Sequence, residues 1–122
     1  MRILCVDDSP AIQDMLAATL ARAGWDILLA ANGKAALELL QSETVDVIIS
    51  DIDMTVMGGF EFVTKVRQDP AHQFTPILFL TTEDSEEFKE VGREIGATDW
   101  IGNPFDAAEL IGVIRRDRKS VV

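Results

Sequence analysis

One cysteine, one histidine and eleven basic residues among 122 are what this chain has little of. Each scarcity removes a class of function. A lone Cys5 cannot form an internal disulfide. It lies inside an apolar run with no histidine partner evident, so it reads as core rather than as a nucleophile, in a reducing compartment. A single histidine, His72, makes no metal site; in the loop Asp69-Pro-Ala-His-Gln73 it is expected to be solvated. The basic residues are outweighed by 21 acidic ones, for a net charge of −10 at pH 7. Four of them are gathered in Arg115-Arg116-Asp117-Arg118-Lys119, which leaves the rest of the chain more acidic still. That argues against direct contact with nucleic acid. No apolar run is long enough to cross a bilayer. The apolar stretch at the N-terminus is too short for a signal peptide and ends in two aspartates. The expectation is a cytoplasmic protein with no membrane insertion.

What is present is regular. Hydrophobic residues make up 48% of the chain, and strand and helix patterns alternate five times. Strands are expected over 2–6, 25–29, 45–50, 76–80 and 98–101. The first helix starts at Ser9-Pro10, with Ser9 as N-cap and Pro10 at the first helical position. Its inward stripe is Ile12, Met15, Leu16, Thr19 and Leu20, and Gly24 ends it. Asn32-Gly33 opens the second helix and Gly58-Gly59 the third. The fourth covers 84–95, with Phe88, Val91 and Ile95 as its apolar stripe, acidic residues elsewhere, and Gly92 at a helix-interior cost of roughly 1 kcal/mol relative to Ala. Asp106 and Glu109 form a capping box for the fifth. This alternation, in a chain of single-domain length, gives an α/β fold: a five-stranded parallel sheet between layers of helices. The domain is expected over 1–117, with 118–122 as a flexible basic tail.

Three strands end in polar groups. Arg2-Ile-Leu-Cys-Val6 runs into Asp7-Asp8, and Val45-Asp-Val-Ile-Ile49 runs through Ser50 into Asp51, with Asp53 two residues on. Pro76-Ile-Leu-Phe-Leu80 ends in Thr81-Thr82. Sites of open α/β sheets form at the carboxyl ends of their strands. If these strands are neighbours, the carboxylates share one crevice, and repulsion there demands a cation or raised pKa values.

Together, Asp7-Asp8-Ser9, Val47-Ile-Ile-Ser-Asp51 with Met54 and Gly58-Gly59, Leu80-Thr81 and Pro104-Phe105 resemble the receiver domain of two-component response regulators. The stretch Gly96-Ala97-Thr98-Asp99-Trp100-Ile101 is most similar to the stand-alone, chemotaxis-type members. The resemblance implies a flavodoxin-like (βα)5 fold with strand order 2-1-3-4-5, a topology for which a member of this family is itself a standard example. It implies that Asp51 accepts a phosphoryl group from a sensor histidine kinase or phosphotransfer protein. Mg²⁺ would be held by Asp8, Asp51 and the backbone carbonyl of Asp53, with Asp7 acting through water. Thr81 would bond a phosphoryl oxygen, and Trp100 stands where the family carries an aromatic switch. A downstream protein would bind the face made by the fourth helix, fifth strand and fifth helix. The protein would then be a signalling module, catalysing only its own phosphotransfer and dephosphorylation.

Three positions depart from the family pattern or vary within it. Receivers carry a lysine before Pro-Phe, whereas this chain has Asn103, which offers an amide but no charge. The Asn103–Pro104 bond is expected to be cis, as in the family. Thr55 replaces a usual proline, which predicts a less rigid loop after Asp51. The carboxylate of Asp53 is expected to alter phosphoryl lifetime. Two other readings fit part of the pattern. A pseudo-receiver would keep the fold as an interaction module without productive phosphorylation. Asp51-Ile-Asp53-Met-Thr55-Val56 also matches the opening motif of haloacid-dehalogenase phosphatases, with Asp51 and Asp53 as nucleophile and acid/base.

Overall fold

A computed structural model describes residues 1–82 and 85–119, the last by its backbone alone. Its strands are β1 (Arg2–Val6), β2 (Asp26–Ala30), β3 (Val47–Ser50), β4 (Ile77–Thr81) and β5 (Asp99–Gly102). Its helices are α1 (Pro10–Arg22), α2 (Gly33–Leu40), α3 (Gly59–Gln68), α4 (Glu86–Ile95) and α5 (Ala107–Lys119), with one 3-10 turn at Pro70–His72. The strands form one parallel sheet in the order β2-β1-β3-β4-β5, the expected flavodoxin-like arrangement.

Alternation along each strand divides the core in two. Ile3, Cys5, Val47, Ile49, Leu78, Leu80 and Ile101 face Leu16 and Leu20 of α1 and Leu110 and Ile114 of α5. Leu4, Val6, Ile48, Ile77 and Phe79 face α2, α3 and α4. Both faces of the central strands are therefore covered, which is why they read as continuous apolar runs. Cys5 is fully buried, and burial pushes its thiol up to about 12, so it is inert core as expected.

The helix starts follow the capping signals. Ser9 Oγ accepts from the Ile12 N–H at 3.3 Å, Asn32 Oδ1 from Ala35 at 2.9 Å, and Asp106 Oδ1 from Glu109 at 2.9 Å. Helix α4 is capped by Ser85, which accepts from the Phe88 N–H at 3.2 Å; Asp84, the expected first residue, lies outside the described residues.

Several expectations are corrected. Met15 is 45% exposed, so the buried stripe of α1 narrows to Leu16 and Leu20. In α4 the inward line is Phe88, Gly92 and Ile95, while Val91 is 44% exposed, because Gly92 rather than Val91 meets the sheet. His72 is not solvated. It is 6% exposed, its Nδ1 lies 3.3 Å from Thr75 Oγ1, and its carbonyl accepts from Arg67 at 2.7 Å. Helix α5 is described through Lys119, and Arg118 pairs with Asp46 at 3.5 Å; residues 120–122 of the expected tail lie outside the described residues.

Candidate functional site at the carboxyl edge of the sheet

Register places the strand ends side by side. Val6 pairs with Ser50, and Ser50 with Phe79. Backbone bonds then carry the chain out of the sheet in fixed positions. The Asp7 N–H donates to the Ala30 carbonyl at 3.0 Å, and the Asp51 N–H to the Val6 carbonyl at 2.9 Å. As a result Asp7, Asp8 and Asp51 each present a carboxylate oxygen, all within 4.8 Å of one another.

The three acids differ in setting. Asp7 is 3% exposed; its Oδ1 accepts from the Ser9 N–H at 2.8 Å, and its carbonyl from Gln13 Nε2 at 2.6 Å. Burial raises its pKa, the Ser9 bond offsets part of this, and Asp8 adds to the rise. Asp8 is exposed. Asp51 is pushed up to about 6, by burial first and by the charge of Asp7 next. Backbone N–H groups of Ile52 and Asp53 oppose the rise, and Asp8 adds to it. The Ile52 bond to Asp51 Oδ1 is 2.7 Å. No basic side chain acts on Asp51 among the described residues. Such a set of hard oxygen donors without an internal counter-charge fits a divalent cation of the Mg²⁺ kind.

The loop after Asp51 is tightly built. A Cβ on Gly59 would fall inside van der Waals contact of the Asp51 carbonyl, and 2.8 Å from Ile52 Cα and Phe79 Cε1. Only glycine lets α3 start this close. Thr55 and Val56 form a γ-turn in which the Met57 N–H donates to the Thr55 carbonyl at 2.8 Å, with Val56 at φ 71°. A β-branched residue there is strained. Asp53 is exposed, and its carboxylate is not part of the three-acid cluster.

Thr81, Trp100 and Asn103 gather one strand over. Thr81 is 7% exposed at the end of β4 and pairs with Gly102; its carbonyl accepts from the Asn103 N–H at 2.9 Å. The Asn103–Pro104 bond is cis. All three residues line a pocket of about 280 Å³ with Thr82, Lys89, Ile101, Gly102 and Pro104. Trp100 is packed inward, in a ring cluster with Phe79 (centroids 5.1 Å apart) and Phe88 (6.3 Å). Phe60 joins it from α3, at 5.5 Å from Phe79 and 5.2 Å from Phe88. Gly92 makes room for the indole. A Cβ there would overlap Trp100 Cζ2 and lie 3.2 Å from Cε2. The indole N–H is buried with no acceptor among the described residues.

The family model of the response regulator receiver domain matches residues 3–115. The chain belongs to that family. This receiver is 45% identical to chemotaxis protein CheY4 of Vibrio cholerae, with TM-score 0.91, over 99% of this chain and 98% of that one. The receiver domain of the sensor histidine kinase PA1611 from Pseudomonas aeruginosa, solved with a magnesium ion coordinated in its active site cleft, is 28% identical. Its TM-score is 0.90, with 98% of each chain covered. The Bacillus subtilis transcriptional regulatory protein YvrH is 39% identical over 96% of this chain and 48% of its own length. The chain thus spans about half the length of the transcriptional regulators it matches. The match also decides how Asp51-Ile-Asp53-Met-Thr55-Val56 is read. It is the loop after a receiver's third strand, not the opening of a haloacid-dehalogenase phosphatase.

Sequence reasoning missed Lys89, Gly59 as a contact point and the four-ring cluster. Only the glycine inside α4 carried a signal: a helix-weakening residue retained in an otherwise regular helix.

Proposed function

We propose that this receiver takes a phosphoryl group on Asp51 from the phosphohistidine of a sensor histidine kinase or phosphotransfer protein, and passes the signal to a protein bound at the α4–β5–α5 face. The observation that carries this reading is the meeting of Asp7, Asp8 and Asp51 within 4.8 Å, with no basic side chain acting on Asp51 among the described residues.

An Asp51 oxygen forms the new O–P bond as the P–N bond of the donor breaks. The donor imidazole leaves with the electron pair and takes up a proton. Hydrolysis returns the carboxylate and inorganic phosphate. Asp51, at about 6, is mainly ionised and nucleophilic above neutral pH. Asp8, Asp51 and the Asp53 carbonyl would hold Mg²⁺, with Asp7 acting through water, and the bound ion would offset the crowded charge and that of the transferring group. Thr81 donates its hydroxyl to a phosphoryl oxygen, Asn103 offers its amide, and Trp100 follows Thr81 as the switch. Asp53, exposed beside the acceptor, adjusts how long the acyl phosphate lasts. The setting is cytoplasmic.

A pseudo-receiver role is the second reading, favoured by the neutral Asn103. Acetyl phosphate or beryllofluoride with Mg²⁺, read by intact mass and by Trp100 fluorescence in a Trp25→Phe background, separates the two. One adduct, lost in Asp51→Asn, is the expected result; no adduct and no fluorescence change would establish the pseudo-receiver. Following adduct decay in Asp53→Asn tests the modulator role, which an unchanged rate refutes.

A further inference from the structure

The pocket between β4, β5 and α4 has a composition that the acid cluster does not explain. Thr81 and Thr82 bring hydroxyls, Asn103 an amide and Lys89 an ammonium, and none of the described lining residues is a carboxylate. Among the described lining residues that is a donor-rich set with one cation, in a chain of net charge −10. Lys89 is half-buried there and makes no ion pair with any described residue. Trp100, on the same wall, holds a buried indole N–H without an acceptor among the described residues. Donors withdrawn from water without partners are costly until acceptors arrive. The pocket shares Thr81 and Asn103 with the proposed phosphoryl site, and Thr81 ends β4, which pairs with the acceptor strand β3.

Resting on the reading of Asp51 as phosphoacceptor, we propose that Lys89 of α4 is the side-chain cation for the phosphoryl group, reaching through this pocket to the oxygens that Asp51 carries. No basic side chain acts on Asp51 among the described residues, so the pairing forms when the added charge arrives. A lysine suits this, as a point charge on a flexible four-carbon stem. Asn103 is too short to fill the space and brings no charge, which leaves the route open. Because the cation belongs to α4, its engagement links the acceptor to the helix of the proposed output face.

The test compares wild type with Lys89→Gln, Lys89→Arg, the double variant Lys89→Gln/Asn103→Lys, Asp51→Asn and Lys65→Gln. The last neutralises an exposed lysine of α3 and controls for net charge. Loading by acetyl phosphate with Mg²⁺ is followed by intact mass and Trp100 fluorescence. Lys89→Gln is expected to load about tenfold more slowly, less than the loss of a preorganised oxyanion donor. Lys65→Gln should change little, and Lys89→Arg and the double variant should recover most of the rate. Loading of Lys89→Gln at the wild-type rate, or a double variant no better than Lys89→Gln, overturns the role of Lys89 and leaves Asp51 as acceptor. A fluorescence response that persists in Asp51→Asn means the pocket takes free oxyanion, and overturns the assignment to the phosphoryl group. Wild type that never loads overturns the reading of Asp51 itself, and this inference with it.

Discussion

The carboxyl edge of the sheet has two halves made in different ways. On the β1–β3 side, main-chain bonds place the acids: Asp7 N–H to Ala30, Asp51 N–H to Val6, and a bare Gly59 against the Asp51 carbonyl. There is little room to move and few rotatable bonds to move with. On the β4–β5 side, side chains do the placing. A threonine, an asparagine, a lysine and an indole surround open space, and four aromatic rings bridge to α3 and α4. Phosphoryl transfer needs a nucleophile held in fixed geometry, whereas a signal needs an element with two arrangements. The roles proposed for the two halves divide along that line.

Gly59→Ala is the harshest test of the rigid half. The new methyl would overlap backbone at Asp51 and Ile52, and backbone there cannot yield without moving the acceptor. The expected cost is about 3 kcal/mol in denaturant unfolding, the upper range for overpacking, together with weaker Mg²⁺ binding. A cost below about 1 kcal/mol with unchanged Mg²⁺ affinity would show that the loop is adaptable after all.

The rigid half was also the more legible in sequence. Asp7, Asp8 and Asp51 follow apolar runs directly, so placing the strands placed the acids. Capping residues fixed the starts of α1 and α2 for the same local reason. The adjustable half depends on contacts between residues far apart in sequence. Nothing in the pattern of α4 says that Gly92 rather than Val91 meets Trp100, or that Lys89 lines a pocket with Asn103. His72 was misjudged for the same reason. Its loop composition is polar, but Arg67 and Thr75 close over it. Asp53 stood two residues from Asp51 in sequence, yet its carboxylate is solvent-exposed and apart from the cluster.

Titration sharpens the electrostatic side of the contrast. Burial and mutual repulsion raise Asp51 to about 6 and raise Asp7 as well. The folded chain therefore binds protons more tightly than the unfolded chain. Stability from these groups is complete below their unfolded pKa values and is lost as pH rises through about 6. Without divalent cation, acidifying from pH 7.5 to 5 should stabilise the protein by at most about 1 kcal/mol, read as a rise in Tm, because Asp51 is only half-buried and solvent screens its charge. Asp51→Asn should flatten that rise, and Mg²⁺ at pH 7.5 should replace it. An Asp51→Asn variant with the full pH dependence would place the effect in general surface charge.

The smallest predicted effect separates the halves most cleanly, because it compares one substitution at two sites. Alanine in place of a helix-interior glycine gains about 1 kcal/mol from propensity alone. At Gly112, in α5, a Cβ meets nothing within 4 Å, so Gly112→Ala should raise stability by about 0.5–1 kcal/mol. At Gly92 the same methyl overlaps the Trp100 ring. Overpacking there costs about 1–3 kcal/mol before the helix gain is returned, leaving a net loss near 1 kcal/mol. The indole is the far end of a side chain beside an open pocket, so it can swing away where the Asp51 backbone cannot. Gly92→Ala should therefore change Trp100 fluorescence and solvent quenching more than it changes stability. If quenching stays at the wild-type level while stability falls by about 3 kcal/mol, as expected for Gly59→Ala, the indole is as fixed as the acceptor loop. The β4–β5 half would then have to move as a whole helix rather than as a side chain.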